Sequence, residues 1–380
     1  MGNPAPHGDP HLKNLSFKSL RSTKKNSCPG HTISMVVPSS AAAVFRRTAR
    51  LLERNGVPEP RESAAYLLSA ATRGRCSDAI RFDPQAPGAT HHLSAGERRR
   101  FAAMVRRRSA REPVQYIIGE WDFRDLTLAV RPPCLIPRAE TEDLVDWVVA
   151  DPTPIPRHFL DVGCGSGALS ISLLKEWPRA CAVAIDVDPE CVSLTVENAQ
   201  MHGVLDRLRV VNACVSDPGA LGAHRPRNGF DLIVSNPPYI ATDLWATALP
   251  PEVKEWESRQ ALDGGTDGLD VVRLLLSAAT PHGSPQRVGG LLREAQGRIW
   301  MELDVDQPTA LQDMMKAAAA GTVEWWATPS VAAMSRDSAS AANTAVQGDS
   351  GRGKAVGRLE VAQVAKDFTS RVRFCKLHFV

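Results

Sequence analysis

Between Phe159 and Ser235 the chain repeats one rhythm: "FLDV", "GALSISLLKEW", "CAVAID", "PECVSLTVENAQMHG", "LRVVNACV", "FDLIVS". Short segments that are apolar throughout alternate with longer ones of helical period. A strand with no polar face has to be covered on both sides, which is the condition of a parallel sheet packed between helices. The rhythm continues through a helix around Leu269 to Ala279, a strand "RIWMELD", a helix from Pro308 to Ala319, a strand "TVEWWAT" and a last strand "RVRFCKLHF". Seven strands connected in this way predict a doubly wound, Rossmann-like α/β domain.

The residues before this domain read differently. From Ala41 to Glu112 the pattern is helical and local, with Val44, Phe45, Leu51 and Leu52 on one face, a stop at Asn55-Gly56, and a second helix carrying Ala64, Ala65, Leu67 and Leu68. A third helix opens with the capping box "SAGE", Ser94 to Glu97, and turns Phe101, Met104 and Val105 inward. Its opposite face, with Arg98, Arg99, Arg100, Arg106, Arg107 and Arg108, reads as a solvated surface before it reads as a nucleic-acid dock. "YIIGEWDFRDLTLAV", Tyr116 to Val130, shows strand-type residues in alternation and suggests a hairpin; "RPPCLIPRAETEDLV" leads from it into a helix. The expected organisation is a leader over 1–40, a helical domain over 41–112, a hairpin and connector over 113–145, and the α/β domain over 146–380, with a small polar insertion over 335–357.

Charge and composition exclude more than they identify. A net charge of +3 is too weak to announce a nucleic-acid binder, so partner choice has to come from sites. Eight cysteines are scattered without a CxxC pair, which points to a reducing compartment and to no metal cluster. No apolar run reaches the roughly 18 residues of a membrane-spanning helix. The first 50 residues hold one acidic residue, Asp9, against eight lysines and arginines, a composition that resembles an organelle transit peptide. Mitochondrial import is the expectation, with a cytoplasmic location as the alternative.

"LDVGCGSG" places Gly163, Gly165 and Gly167 directly after the first strand and before a helix. Glycines there let backbone approach a ligand closely, and the helix start offers free amides to an anion. The second strand ends in Asp186, suitably placed for ribose hydroxyls, and Asp188 reads as the cap of the next helix. The GxGxG spacing, rather than GxGxxG, favours S-adenosylmethionine, with a dinucleotide still open.

At the end of the fourth strand stands "NPPY", Asn236 to Tyr239. Pro237 and Pro238 fix their own φ and keep Asn236 out of the helical region, so one amide and one ring sit on a rigid loop. In a doubly wound sheet that loop shares a crevice with the glycine loop. A planar NH2 group fits it chemically. Asn236 offers its side-chain oxygen and Pro237 its carbonyl to the two N–H bonds, and Tyr239 packs on the flat face. Methyl transfer to such a nitrogen would then be driven by orientation and preorganised polarity.

The glycine loop and "NPPY" together resemble the amino-methyltransferases that act on adenine N6 in DNA, guanine N2 in RNA, or glutamine. Three further stretches, "PVQYIIGEWDF", "LIPRAETEDLV" and "ESRQALDGGTDGLDVVRLLL", resemble the release-factor glutamine methyltransferase family of HemK/PrmC type, and the resemblance runs from about Ala41 to the C-terminus. It implies a seven-stranded S-adenosylmethionine-dependent methyltransferase domain behind a small helical substrate-binding domain. The implied substrate is the GGQ glutamine of a class I peptide chain release factor, methylated at its side-chain nitrogen in support of translation termination by a monomer that needs no nucleic acid. By the same resemblance Asn236, Pro237, Pro238 and Tyr239 hold the substrate amide, and Asp161, Gly163, Gly165, Gly167, Asp186 and Asn236 border the cofactor. Arg138, Thr141 and Glu142 line the pocket edge. The chain departs from the family's pattern with Ala139 in place of a proline and with Cys214, three residues before Asp217, where an acidic residue is usual. An amino-methyltransferase acting on adenine or guanine is the alternative.

Overall fold

The computed structural model describes residues 40–280, 290–319 and 359–379. Residues 1–39 of the leader, the "TVEWWAT" segment and the polar insertion therefore lie outside the described residues, as do residues 281–289.

The chain begins with α1 (Ala41–Arg54), α2 (Pro60–Thr72), α3 (Ala95–Ser109) and the short α4 (Val114–Ile118). Ser40 caps α1, and the capping box of α3 is complete: Ser94 Oγ accepts from Glu97 N while Glu97 Oε2 accepts from Ser94 N. Phe45, Leu52, Leu67, Leu68, Phe101 and Val105 share one apolar core. Leu51 does not join it and is 45 % exposed. It lies a hundred degrees round the helix from Leu52, and a narrow stripe admits only one of two such neighbours.

The arginine face of α3 is not a uniformly solvated one. Arg108 is buried; Arg98 donates to the Leu93 carbonyl, Arg100 to the Ala71 carbonyl at 2.8 Å, and Arg107 to both carboxylate oxygens of Glu112. Arg98, Arg99, Arg100, Arg106 and Arg107 are nonetheless exposed, so the face is solvated as expected apart from Arg108, and the guanidinium forks of three of them also reach acceptors of the protein.

The hairpin is shorter than the strand-type residues suggested. Tyr116, Ile117 and Ile118 belong to α4, and only β1 (Glu120–Phe123) and β2 (Leu126–Ala129) pair. Gly119 at φ 88° ends the helical turn, which turns Ile117 into the helical core and brings Tyr116 OH to the Cys134 carbonyl at 2.7 Å. The β-branched composition could not distinguish one helical turn from the start of a strand.

Next come α5 (Ala139–Ala150), β3 (His158–Val162), α6 (Ala168–Glu176), β4 (Cys181–Asp186), α7 (Pro189–Met201), β5 (Leu208–Asn212) and β6 (Leu232–Ser235). They are followed by α8 (Leu244–Thr247), α9 (Pro251–Trp256), α10 (Asp270–Ala279), β7 (Arg298–Glu302), α11 (Gln307–Ala319), β8 (Leu359–Lys366) and β9 (Val372–Phe379). The sheet has seven strands in the order β5-β4-β3-β6-β7-β9-β8, parallel from β5 to β7 and antiparallel at β9 and β8. Within the described residues the last edge is β8, a strand that the sequence pattern did not disclose. Its burial is irregular, it carries two register shifts, and Val364 faces solvent, all of which suit an edge and erase the apolar run by which the inner strands announce themselves.

Two apolar layers cover the sheet. One gathers Phe159, Leu173, Leu174, Leu232, Val234 and Trp300; the other gathers Leu160, Ile233, Val272, Leu276, Met301 and Leu377. Phe123 and Leu128 of the hairpin and Leu144 and Val145 of α5 join the first layer, so the connector packs as part of the α/β core. Asn198 of α7 fixes it there: its side chain bonds both the N–H and the carbonyl of Ala129 and the carbonyl of Ser166 in the glycine loop.

Candidate active site

The strand order reverses at β3, whose successors lie on one side as β4 and on the other as β6, so the loops after β3 and β6 flank a crevice at the C-terminal end of the sheet. Val162 of β3 pairs with Ser235 of β6, which sets the glycine loop beside Asn236. A Cβ placed on Gly163 would lie 4.0 Å from the Asn236 carbonyl oxygen.

The glycine loop turns through positive φ at Gly163, Gly165 and Gly167. Its position is fixed by β4: the amides of Gly163 and Cys164 donate to the Ile185 carbonyl, and Gly165 N donates to Asp186 Oδ2 at 2.9 Å. Asp186 Oδ1 accepts from Asp188 N at 3.0 Å, and Asp188 caps α7 through Glu190 N. Burial raises the pKa of Asp186, and the amides of Asp188 and Gly165 oppose that rise. Each of its oxygens keeps a lone pair for a hydroxyl donor. Beneath the loop Asp161 is fully buried; its Oδ2 takes both the amide and the hydroxyl of Ser170, and its Oδ1 has no protein partner. Burial pushes this carboxyl up to about 7, with the Ser170 bonds pulling down and the Asp186 charge adding to the rise.

The "NPPY" loop is held from behind. A Cβ on Gly264 would come within 2.6 Å of the Pro238 carbonyl, and one on Gly268, at φ 75°, within 2.2 Å of the Tyr239 carbonyl. Only glycine lets the "LDGGTDGLD" segment lie that close, and Gln307 Nε2 adds a bond to the Tyr239 carbonyl at 2.8 Å. From the α5 side, Asn236 Nδ2 donates to Thr141 Oγ1 at 3.0 Å, and Thr141 Oγ1 donates to Glu302 Oε2 at 2.8 Å. Tyr239 OH donates to Glu302 Oε1 at 3.0 Å and lies 3.5 Å from Arg373 Nη1. Burial raises the pKa of Glu302, against the two hydroxyl bonds and the Arg373 charge. Burial likewise raises Tyr239, and the nearby Glu302 charge adds to it, so the phenol stays neutral.

Sequence comparison places this geometry in a family. A model described as the PrmC N-terminal domain matches residues 43–119, and one described as the methyltransferase small domain matches residues 143–251. The chain is 35 % identical over 289 residues to the MTRF1L release factor glutamine methyltransferase of Homo sapiens, a match that covers 73 % of this chain and 80 % of that one. The chain belongs to the release factor glutamine methyltransferase family. Relatives named release factor glutamine methyltransferase include one from Geobacter sulfurreducens, 40 % identical with 63 % of this chain and 78 % of that one covered. Another, from Cereibacter sphaeroides, is 35 % identical with 73 % and 90 % covered.

The methyltransferase uses S-adenosylmethionine, and the residues present fit it. The cofactor's ammonium is the kind of donor that the orphaned Asp161 Oδ1 accepts, its ribose hydroxyls suit Asp186, and nothing lies within 4 Å of a Cβ on Gly165, so the loop opens onto free space there. A Cβ on Gly167 would instead press on Ile171 and Thr195 at 3.0 Å, which makes that glycine a packing requirement. Cys214 and Asp217 follow β5 on the Asp186 side; the Asp217 carboxylate is engaged by the Gly219 amide and Cys214 Sγ by the Ser216 hydroxyl.

Asn236 thus lies beside the glycine loop, with Pro237 and Tyr239 next along the chain, while of Arg138, Thr141 and Glu142 only Thr141 hydrogen-bonds Asn236 among the described residues. Thr141 backs Asn236, Arg138 is spent on the buried Glu257 carboxylate at 2.6 and 2.7 Å, and Glu142 is half-buried on the first turn of α5. Sequence reasoning missed Glu302, Arg373, Glu252 and Glu257. The available signal for Glu302 was its place: an acid at the C-terminal end of a strand whose three middle residues are apolar.

Proposed function

We propose that this chain methylates the side-chain amide nitrogen of the GGQ glutamine of a class I peptide chain release factor. The observation that supports this most directly is Asn236, whose Nδ2 is committed to Thr141 while, among the described residues, no protein donor reaches its Oδ1. That oxygen and the Pro237 carbonyl accept the two N–H bonds of a planar amide, and the ring of Tyr239, tethered by its hydroxyl to Glu302, packs on the amide face. When bound, S-adenosylmethionine supplies an electrophilic methyl group. An amide nitrogen is a poor nucleophile because its lone pair is delocalised, so the loop works by holding it still and by stabilising the positive character that grows on N–H as the nitrogen is alkylated. The proton leaves after transfer, and no strong base is needed beside it. The basic, acid-poor start of the chain supports a mitochondrial site of action; residues 1–45 fused to a fluorescent protein should then reach that organelle, and a diffuse signal counts against it.

The deciding assay uses tritiated S-adenosylmethionine, recombinant release factors with GGQ or GGA loops, and DNA and RNA as competing acceptors. Label should enter the GGQ protein alone. Asn236→Ala should retain cofactor binding and lose about 10²- to 10³-fold in rate, the usual loss for one preorganised polar group. Label in nucleic acid would instead favour an adenine or guanine methyltransferase. Wild-type rate in Asn236→Ala would return "NPPY" to the role of a strand terminator.

A further inference from the structure

We propose that Glu302 and Thr141 form a polarity relay that fixes which end of the Asn236 amide faces the substrate. The inference rests on the reading that Asn236 receives the substrate amide. Three adjoining contacts give it direction. Two hydroxyls and the Arg373 guanidinium gather around the Glu302 carboxylate and favour its ionised form against burial; an ionised carboxylate is an acceptor only, so the hydroxyls of Thr141 and Tyr239, at 2.8 and 3.0 Å on its two oxygens, both point their protons at Glu302. A threonine hydroxyl has one proton. With that proton given to Glu302, Thr141 Oγ1 meets Asn236 at 3.0 Å as an acceptor, and only the NH2 end of the amide can satisfy it. The oxygen end of Asn236 is then left for the substrate, which brings two N–H donors. Reversing the Thr141 proton would let the amide turn over and present NH2 to NH2, two donors that repel.

The geometry explains why an acid ends β7, two strands from β3 in the sheet. Glu302 is 1 % exposed, Thr141 4 %, and the two come from β7 and α5, distant in sequence, so neither is adjustable once the core has packed. Arg373 on β9 completes the direction: it faces Tyr239 OH at 3.5 Å with an N–H, which again leaves the phenol proton for Glu302. Glu302 and Thr141 are therefore positioning residues. They act on methyl transfer through Asn236 and Tyr239, and among the described residues neither hydrogen-bonds the glycine loop or Asp186.

The test is a set of variants measured for methyl transfer to a release factor and, separately, for S-adenosylmethionine binding by calorimetry. Thr141→Val keeps the shape and removes the relay; kcat should fall by about 10- to 100-fold with cofactor affinity within about 2-fold of wild type. Thr141→Ser restores the hydroxyl and should recover to within about 3-fold. In the Asn236→Ala background the relay has nothing to orient, so Thr141→Val should add less than about 2-fold. Glu302→Gln, which keeps volume but brings a donor to one of the two hydroxyls, should lower kcat by about 10-fold and carries the test if Thr141→Val fails to bind cofactor. Thr141→Val within 2-fold of wild type, or a full additional loss in the Asn236→Ala background, overturns the relay while leaving the substrate reading in place. A fully active Asn236→Ala overturns the substrate reading itself.

Discussion

Glu252 joins the helical region to the loop that follows "NPPY", and its removal can be worked through quantitatively. It sits on α9, and its carboxylate receives Arg111 through a two-pronged contact, Nε and Nη2 at 2.7 Å each, together with Arg108 Nη1 at 3.1 Å. The side chains of Arg108 and Glu252 are 5 % and 10 % exposed, that of Arg111 26 %. Breaking a buried pair by deleting one partner typically costs about 3–5 kcal/mol, because the other charge is left uncompensated. Two features place Glu252→Ala toward the bottom of that range. Arg108 keeps Ser63 Oγ and the carbonyls of Glu112 and Pro58 as acceptors, and Arg111 is exposed enough to turn toward water. The expected loss is about 3 kcal/mol, seen as a lower midpoint in urea or a fall of several degrees in Tm. Arg131→Ala, which removes a solvent-facing pair with Glu197, should lose no more than about 1 kcal/mol and serves as the internal comparison. Because Glu252 ties the segment that follows "NPPY" to Arg108 of α3 and to Arg111 just beyond it, Glu252→Ala should raise KM for the release factor while cofactor affinity stays unchanged. A Glu252→Ala protein no less stable than the Arg131→Ala one would show that the cluster is a surface contact with no hold on the two parts.

Asp186→Ala should weaken S-adenosylmethionine by about 1–3 kcal/mol in calorimetry, since it deletes the acceptor for ribose hydroxyls and also the anchor of Gly165 N; unchanged affinity would move the cofactor elsewhere. Asp161 gives a pH dependence with a definite sign. Its folded pKa of about 7 lies above its ordinary value of 3.8, so the folded chain binds the proton more readily than the unfolded chain does. Stability of the cofactor-free protein should therefore fall as pH rises from about 4 to about 7, by up to about 4 kcal/mol, and level off above. Asp161→Asn should flatten that slope in thermal melts taken between pH 5 and pH 8; identical slopes in the two proteins would refute the assignment.

Much of the fold was written locally. Strands that must be covered on both faces have an apolar centre with polar residues mainly toward their ends, so β3, β4, β6 and β7 could be found one at a time, and the glycine loop and "NPPY" declared themselves because their backbone shapes admit few residue types. Strand order then follows from short right-handed crossovers, which is why the two loops could be expected in one crevice. Residues whose work depends on a partner far along the chain were not legible in that way. Arg108 looks like its solvent-facing neighbours until Glu252, 144 residues on, arrives to bury it. Thr141 reads as an ordinary residue of a helix start and Glu302 as the polar end of a strand, and β8 shows no pattern because half of an edge strand meets water. The sequence alone determined the class of fold and the two loops that meet, since both are matters of period and backbone freedom. Only the packing of α5 against β7 decided how Asn236 is turned, because the direction of a hydrogen bond is set by the donors and acceptors that tertiary structure brings within 3 Å of one another.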